Sequence, residues 1–370
     1  MLLLDGRILA YRRGGIARYV ASLADHLPAV APDLSVHLII NRPIPAPGWP
    51  TRRVRTPPHH RWERWALGLE LLRFRPRLVH SPDFIPPILP GVPRVITVHD
   101  LAFLADPSLL APDALRYYGQ LPRVIAAARA VIAVSHAVRQ QVVERLRVPP
   151  ERVAVVYNGV GPEFFAEPDA ATLAADLPAP VRARLSPDRA LILVVGTVEP
   201  RKRHALIAQA VEHLAARRPD LAPLLVVAGQ PGWRSAAGVA AIQRLAQAGH
   251  AVWLTDVSDG ALRALYATAT LLALPSRDEG FGLPLAEAMA AGLPCVVARR
   301  GALPEVGGDA AMYVEEDDPA TWADVLEAVL DDATLRHTLA ARGKQRATRF
   351  RWEETARATA AIYRGVLAGD

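Results

Sequence analysis

The sequence predicts an α/β protein made of two Rossmann-like domains, each with a parallel sheet facing a central cleft. Short apolar runs alternate with helix-like segments along the whole chain of 370 residues, which is the pattern of parallel sheets covered by helices on both faces. The alternation is interrupted once, between Gly161 and Asp188, by a linker-like stretch rich in Pro, Ala and Asp. A chain of this length is also expected to hold about two domains.

The apolar runs have the length of single strands and are rich in Val, Ile and Leu, as expected for strands buried on both faces. In the first half the predicted strands are Leu2–Leu4, Val36–Ile40, Leu78–His80, Val95–His99, Val131–Val134 and Val153–Tyr157, with helices Ile16–His26, Ala114–Ala128 and Ala137–Leu146. In the second half the predicted strands are Leu191–Val195, Leu224–Ala228, Ala251–Leu254, Leu271–Leu274, Cys295–Ala298 and Met312–Val314, with helices His204–Arg217, Ala261–Thr268, Leu283–Ala291 and Ala320–Leu330. We therefore predict one domain over residues 1–175, a second over residues 176–350, and a terminal helix over residues 351–370 that packs back on the first domain.

The composition excludes several classes of protein. Apolar residues make up 51% of the chain, which excludes a disordered protein, and no apolar run is long enough to span a bilayer. The lone cysteine, Cys295, lies in an apolar strand, which excludes a disulfide framework and is typical of a reducing compartment. We expect a cytoplasmic protein, either free in solution or peripheral at the inner face of the membrane.

Positive charge is concentrated in the first half of the chain. Residues 1–185 carry 23 Arg and 15 Asp or Glu. Eight of these arginines fall between Arg52 and Arg77, interleaved with Trp62 and Trp65. Such a surface could contact anionic lipid head groups, or it could be an ordinary solvated basic face. No zinc-finger, RNA-recognition or basic-zipper pattern is present, so no nucleic-acid partner is expected.

The most informative segment runs from Glu279 to Glu287. It follows the apolar run Leu271–Leu274 and contains a glycine turn and a helix start, an arrangement that holds an anion with backbone N–H groups. Pro284 suits the first turn of the helix, where its missing N–H costs nothing. Because carboxylates accept hydrogen bonds from hydroxyls, the two glutamates could clamp a ligand that carries phosphate and hydroxyl groups. An ordinary loop and helix with solvated glutamates is the alternative.

A second candidate turn follows the predicted strand Leu191–Val195 and runs from Gly196 to Lys202. Basic residues at this position lie where open α/β sheets bind ligands. Lys202 is one of only two lysines in a chain with 41 arginines, which indicates that the position favours a compact point charge. A solvated cation at a helix start is the alternative.

Several common chemistries have no signature here. The sequence contains no G-x-G-x-x-G dinucleotide fingerprint, no P-loop and no G-x-S-x-G elbow. The pairs His59–His60 and His80–Asp83 lack the spacing of a metal site, and no D-x-D pair is present. We therefore expect neither a metal nor a further cofactor.

These motifs, taken in order, resemble the retaining glycosyltransferases of family 4, which have the GT-B fold. The stretch from Glu279 to Glu287 matches the family's pair of glutamates separated by seven residues, and Glu199-Pro200-Arg201-Lys202 matches its E-P-R-K turn. Further matches are Gly14–Tyr19, His80–Asp83, Val98–Asp100, Val134–Ser135, Tyr157–Val160, Ala288–Pro294, Leu303–Asp309 and Phe350–Glu353. Within the family, the E-P-R-K variant is similar to bacterial mannosyl- and rhamnosyltransferases.

The resemblance assigns roles to residues of the second domain, which would bind a nucleotide-diphosphate sugar. It implies that Glu287 binds the ribose and Glu279 the sugar that is moved. Arg201 and Lys202 would neutralise the diphosphate as it leaves, a role that a metal has in other transferases. The backbone that cradles sugar and phosphate would be that of Gly280, Phe281, Gly282, Leu283, Gly196 and Thr197.

For the first domain, the resemblance implies acceptor binding. His99, at the end of the fourth predicted strand, would face the donor sugar across the cleft, and a core or capping histidine is the alternative. Gly14 and Gly15 would let the backbone approach donor phosphate and acceptor, unless they only form a tight turn. Ser135 and Asn158 are expected to be structural caps or turns.

The implied activity is metal-independent transfer of a hexose, with retention of configuration, to a saccharide or lipid-linked acceptor in polysaccharide or glycolipid synthesis. GDP-mannose and UDP- or dTDP-sugars are the candidate donors. Two departures bear on the donor: Thr197 replaces a basic residue of many relatives, and Thr255-Asp256-Val257 replaces a turn near the base. A nucleotide-sugar epimerase of the same fold and a non-catalytic nucleotide-sugar-binding protein are the alternatives.

Overall fold

A computed structural model describes residues 1–11, 14–44, 48–83, 85–105, 117–167, 169–186 and 189–369. The chain forms two compact units, the first of residues 1–159 with 350–370 and the second of residues 160–349. The beginning of the predicted helix Ala114–Ala128 and the end of the predicted linker, Asp188, lie outside the described residues.

The first unit contains a parallel sheet of seven strands in the order β3-β2-β1-β4-β5-β6-β7. Its strands are β1 Leu2–Asp5, β2 Val36–Ile40, β3 Thr51–Arg53, β4 Leu78–Ser81, β5 Arg94–Val98, β6 Ala130–Ala133 and β7 Val153–Val155. Its described helices are Gly15–Val30, Glu63–Leu72, Ala102–Ala105, Leu121–Ala126, His136–Leu146 and Trp352–Ala368. The order turns back between β1 and β4, as in a doubly wound Rossmann sheet.

The terminal helix Trp352–Ala368 is part of the core of this unit. Trp352, Ala356, Ala360 and Tyr363 are buried in one cluster with the helix Gly15–Val30. Small residues on the terminal helix allow this close packing, since alanine presents little side-chain volume.

A polar network lies inside this core. One ring nitrogen of His80 lies 2.6 Å from the Tyr363 hydroxyl, and the other lies 2.7 Å from the Thr97 hydroxyl. The Tyr19 hydroxyl lies 3.0 Å from that of Thr97. His80 thus links β4 to the terminal helix, and its position in the family motif has a structural explanation.

The second unit contains a parallel sheet of six strands in the order β10-β9-β8-β11-β12-β13. Its strands are β8 Leu191–Val195, β9 Leu224–Ala228, β10 Ala251–Leu254, β11 Leu271–Leu274, β12 Cys295–Ala298 and β13 Met312–Val314. Its described helices are Ala170–Asp176, Ala179–Arg182, His204–Arg217, Ala236–Gln247, Asp259–Thr268, Leu283–Ala290, Leu303–Gly307, Pro319–Asp331 and Ala333–Ala347. This sheet turns back between β8 and β11.

The second unit begins earlier than the predicted boundary at residue 176. Phe164 is buried against Tyr266, with ring centroids 5.7 Å apart. The helix Ala170–Asp176 lies against the helix Asp259–Thr268. Part of the predicted linker is therefore a packed element of the second unit, because its few large apolar residues are buried there.

Each of the six strands predicted for the second half begins and ends at the predicted residues. The first half differs, because β3 was not predicted. β3 is an edge strand of three residues with two arginines, and it has no apolar run. His99 consequently follows the fifth strand rather than ending the fourth. No helix among the described residues is long and apolar enough to cross a membrane.

Candidate active site

The candidate site lies at the point where the sheet of the second unit reverses its order. β8 and β11 are neighbours, with Leu271 opposite Ile192 and Leu272 opposite Leu193. From β8 the chain continues to β9 on one side, and from β11 to β12 on the other. Ligands of open α/β sheets bind beyond the carboxyl ends of the strands at such a point. Both predicted turns leave the sheet here.

The turn after β8 depends on glycine at Gly196. Its φ is +141°, a backbone conformation that favours glycine. The neighbouring strand approaches so closely that a Cβ on Gly229 would lie 1.9 Å from the Gly196 carbonyl oxygen. The chain then forms the short helix Pro200–Lys202 before the helix His204–Arg217. These successive turns place Arg201 and Lys202 beyond the carboxyl end of β8.

Glu279 forms the centre of a charged cluster with these two cations. The Lys202 ammonium donates a hydrogen bond to Glu279 Oε1. The Arg201 guanidinium lies 3.5 Å from Glu279 Oε2 and donates to the Asp278 carbonyl at 2.7 Å. The side chains of Lys202 and Glu279 are 12% and 8% exposed. The structure thus brings together three of the four predicted catalytic residues.

The electrostatics of the cluster keep Glu279 ionised. Burial by itself raises the pKa of a carboxyl group, because it disfavours the charged form. The charges of Lys202 and Arg201 outweigh burial here and hold the pKa of Glu279 below its ordinary value. Glu279 is therefore a carboxylate at neutral pH, able only to accept hydrogen bonds.

Two residues that support Arg201 were not assigned roles from the sequence. Glu199 accepts a hydrogen bond from Arg201 at 2.8 Å through one oxygen, and from the Trp233 indole at 2.9 Å through the other. Trp233 follows the glycine-rich turn after β9. That turn is the feature of the sequence from which a role for Trp233 could have been predicted. Holding Glu199 at both oxygens fixes the orientation of the Arg201 guanidinium.

The helix Leu283–Ala290 begins at a glycine in a left-handed conformation. Gly282 has φ +89°, and Pro284 occupies the first turn. The Phe281 side chain is 3% exposed and is part of the core, so only its backbone is available to a ligand. N–H groups in the first turn of a helix have no intrahelical acceptor, and the helix dipole favours an anion there. The predicted phosphate cradle at Gly280, Phe281, Gly282 and Leu283 has this geometry.

Glu287 lies one turn into this helix, as predicted. It is 2% exposed and accepts a hydrogen bond from the Tyr266 hydroxyl at 3.0 Å. Tyr266 lies in the helix Asp259–Thr268 and was not assigned a role from the sequence. Thr197, the replacement for a basic residue, is exposed at the other turn. The ribose and phosphate roles of these residues stay predictions.

His99 belongs to the first unit, where it follows β5. Its Nε2 lies 2.9 Å from the Pro82 carbonyl oxygen, and its ring packs against the Tyr19 ring at 4.9 Å. Burial lowers the pKa of His99, although Asp83 and Asp100 oppose this, so the ring is neutral at pH 7. Since a carbonyl only accepts, Nε2 carries the proton and Nδ1 can accept a hydrogen bond from a ligand hydroxyl.

Gly14 and Gly15 lie at the start of the helix Gly15–Val30. Gly14 has an extended backbone, and no atom lies within 4 Å of the position that a Cβ would occupy. The fold of this unit therefore does not itself require glycine at position 14. The expected caps are clearer: Ser135 accepts a hydrogen bond from the Val138 N–H at 3.1 Å.

Comparison with known families gives matches over most of the chain. The model of "Glycosyltransferase Family 4" matches residues 13–164, and that of "Glycosyl transferases group 1" matches residues 180–346. These two regions contain all of the predicted catalytic and donor-binding residues.

Individual relatives agree with the family match. A D-inositol 3-phosphate glycosyltransferase of a Nocardioides species is 34% identical over 75% of this chain, but the match spans only 63% of that protein. A protein of the same name from Frankia alni is 30% identical over 96% of this chain and 95% of its own length. O-antigen chain mannosyltransferase B of Escherichia coli is 29% identical over 83% of this chain and 78% of its own length.

A solved structure shows the same fold. The structure of Anabaena HepE in complex with UDP-glucose superposes with a TM-score of 0.76 at 17% identity, covering 98% of this chain and 99% of that one.

Proposed function

The chain belongs to the group 1 glycosyltransferases of family 4, and we propose that it moves a hexose from a nucleotide-diphosphate sugar to a saccharide or lipid-linked acceptor. The cluster of the buried Glu279 with the partly buried Lys202 and Arg201 carries this proposal. It provides two cations and a carboxylate beside the start of the helix Leu283–Ala290, where the sheet reverses. The two cations could bind a diphosphate, and the carboxylate could accept hydrogen bonds from sugar hydroxyls.

In the proposed reaction the bond from the anomeric carbon to the diphosphate breaks, and a bond to the acceptor oxygen forms on the same face. The acceptor hydroxyl gives its proton to an oxygen of the departing diphosphate. Lys202 and Arg201 would stabilise the charge that develops on the leaving group, which is where preorganised electrostatics lower a barrier most. These two side chains would supply the positive charge that a metal ion supplies in other transferases. We therefore propose that the reaction needs no metal ion.

The ion pair between Lys202 and Glu279 bears on how a donor would bind, because the carboxylate neutralises the ammonium. A bound diphosphate would compete for Lys202, and the oxygens of Glu279 would then accept hydrogen bonds from sugar hydroxyls. Because the pKa of Glu279 is low, the carboxylate keeps this capacity over the neutral range.

The relatives support a limited set of donors and acceptors for this chain. The Escherichia coli relative is named as a mannosyltransferase of an O-antigen chain, which favours GDP-mannose. The Anabaena structure contains UDP-glucose, which keeps UDP- and dTDP-sugars as candidates. We propose a saccharide or polyol acceptor, either free or linked to lipid, in polysaccharide or glycolipid synthesis.

A face of the first unit supports work at a membrane surface. On the helix Glu63–Leu72, the side chains of Trp65, Leu69 and Leu72 are 60%, 69% and 54% exposed, and Trp62 before the helix is 55% exposed. Six exposed arginines accompany this helix in the chain: Arg53, Arg55, Arg61, Arg73, Arg75 and Arg77. We name these exposed residues the Arg–Trp face. Exposed aromatic and aliphatic groups near arginines are typical of proteins that bind an anionic membrane interface.

Product analysis with and without acceptor tests the proposed function. The protein is screened by thermal shift against nucleotides and nucleotide sugars, and the stabilising donors are then incubated with saccharide acceptors. We expect a glycosylated acceptor with retained anomeric configuration, read by NMR of the product. Conversion of the donor without acceptor would favour the epimerase, and binding without turnover would favour the binding protein. Stabilisation by none of these ligands would overturn the assignment.

A further inference from the structure

The first unit has a reversal point of its own, between β1 and β4, and the reaction described above does not use it. A narrow cavity of about 20 Å³ lies there, which is room for about one water-sized group. Its lining is unusually rich in ionisable and polar side chains: Asp5, Arg7, His59, Glu63, Ser81, Asp83 and Tyr117. We call it the first-unit cavity.

The positive charge of Arg7 is fully used within the protein. Its guanidinium donates to both Asp5 oxygens at 2.9 and 2.6 Å and to Glu63 at 2.5 Å. The remaining donors reach the carbonyl oxygens of Thr56 and Pro57, both at 3.2 Å. All five N–H groups of the side chain thus have acceptors, so Arg7 has no donor left for a ligand anion.

The pair of His59 and Asp83 is the accessible part of the lining. His59 Nε2 lies 2.6 Å from Asp83 Oδ2, and the side chains are 26% and 16% exposed. His59 has φ +60°, an uncommon conformation for a residue other than glycine, and its N–H donates to Glu63 at 2.8 Å. Strained residues of this kind are found at ligand sites, where surrounding contacts hold them.

Ser81, at the end of β4, contributes an unused hydroxyl. The side chain is 1% exposed, and the hydroxyl has no hydrogen-bond partner among the described residues. A buried hydroxyl without a partner is destabilising, so a ligand group in the cavity would satisfy it. The next residue, Pro82, accepts the hydrogen bond of His99, which links the cavity to a predicted site residue.

We propose that the first-unit cavity binds one hydroxyl of an uncharged saccharide or polyol acceptor and rejects a phosphorylated one. This inference rests on the proposed function, because it identifies the acceptor class of the same reaction. Ser81 and the pair of Asp83 and His59 would hydrogen-bond the ligand hydroxyl. Asp5, Glu63 and Asp83 face the cavity, and Arg7, which pairs with the first two, is the one arginine in its lining. A phosphate placed in the cavity would meet these carboxylates without a cation free to bind it, as well as too little space.

Matched acceptor pairs test the charge rule. Transfer is measured with mannose and mannose 6-phosphate, and with myo-inositol and inositol 3-phosphate, using the donor identified by thermal shift. We expect each neutral member to be preferred by at least about tenfold in kcat/KM, since like charges across a buried contact are strongly unfavourable. A preference for either phosphorylated member would overturn the proposal.

Two variants test the cavity itself. Ser81→Ala should raise the acceptor KM about tenfold without lowering the melting temperature, because the hydroxyl has no partner to lose within the protein. Asp83→Asn should reduce the discrimination against the phosphorylated acceptor. Glu144→Gln, an exposed carboxylate elsewhere in the first unit, is the control and should change neither value.

Donor binding separates the two proposals. Thermal shift with the nucleotide sugar alone should be the same for the parent protein, Ser81→Ala and Asp83→Asn. If the donor binds but Ser81→Ala leaves the acceptor KM unchanged, the cavity is structural and this inference is wrong, while the proposed function stands. If no donor binds to the parent protein, the proposed function fails first.

Discussion

Lys202 forms an ion pair with a buried carboxylate, that of Glu279. The only other lysine, Lys344, pairs with Glu167 at 2.7 Å on an exposed surface. Lys202→Ala and Glu279→Ala should each lower kcat at least about a hundredfold, as expected for loss of one transition-state contact. Turnover with saturating donor and acceptor measures this.

Lys344→Ala is the matched control for that prediction and should leave kcat within about twofold, because exposed ion pairs contribute little. Near-normal turnover of Lys202→Ala would remove this residue from the active site. A similar loss in Lys344→Ala would show that the effect of either change is one of folding.

His80 makes stability depend on pH. Burial lowers its pKa to about 3, against about 6.5 in the unfolded chain. Between these values the unfolded state binds the extra proton, so stability is complete above about pH 6.5 and falls as the pH is lowered. Lowering the pH from 7.5 to 5 should therefore decrease the free energy of unfolding by about 2 kcal/mol through this residue alone.

Urea unfolding of the parent protein and His80→Gln at the two pH values checks this expectation. The variant should lose less stability on acidification, even if it is less stable at pH 7.5. His60→Gln, which changes an exposed histidine of the same unit, should keep the dependence of the parent protein. An unchanged dependence in His80→Gln would mean that other groups cause it.

Among the elements, the terminal helix Trp352–Ala368 can pack as closely as it does because the residue beside its first turn is a glycine, Gly159. A Cβ on Gly159 would lie 2.3 Å from the Trp352 nitrogen and 2.6 Å from its Cα, and neither backbone atom can move without shifting the helix. Gly159→Ala should therefore destabilise the first unit by more than about 3 kcal/mol. Thermal or urea unfolding measures the loss.

Gly365 provides a control within the helix itself. No atom lies within 4 Å of the position that its Cβ would occupy, and alanine is the better helix former by about 1 kcal/mol. Gly365→Ala should leave stability unchanged or raise it. Equal destabilisation by both changes would show that the contact at Gly159 is not responsible.

The helix Glu63–Leu72 shows how an element can have two apolar faces. Leu67 and Leu71 are buried, and a Cβ on Gly68 would lie 2.0 Å from the Ile88 carbonyl oxygen. The opposite side exposes Trp65 and Leu69. The fold accounts for the first face only, and the second is the basis of the proposed membrane contact.

Over the whole molecule, the charge is asymmetric: net positive charge lies in the first half of the sequence and includes the Arg–Trp face. Co-sedimentation should show binding to vesicles that contain anionic lipid, weak binding to neutral vesicles, and release by salt, since screening weakens exposed charges. Reversal of Arg73, Arg75 and Arg77 to Glu should abolish most of the binding.

The matched control for the vesicle experiment is reversal of three exposed arginines of the second unit: Arg244→Glu, Arg299→Glu and Arg342→Glu. It changes the net charge equally and should leave binding to anionic vesicles largely intact. Equal loss in the two triple variants would reduce the effect to overall charge, and the Arg–Trp face would have no specific role.

The sequence by itself determined the apolar strands, the order of the two units and the turns that hold the candidate site. Buried parallel strands are continuous apolar runs, so β8 to β13 could be predicted from local composition. The glycine turns at Gly196 and Gly282 could be predicted for the same reason, because both depend on local backbone conformation. The edge strand Thr51–Arg53 has no such local signal.

Only the tertiary structure decided which side chains meet. Lys202 and Glu279 are 77 residues apart in sequence, and they pair because β8 and β11 are neighbours in the sheet. Trp233 reaches Glu199 across neighbouring turns in the same way. Arg7, just after β1, likewise reaches Glu63 at the start of the helix Glu63–Leu72. Strand neighbours depend on long-range packing, which the local pattern of residues does not specify.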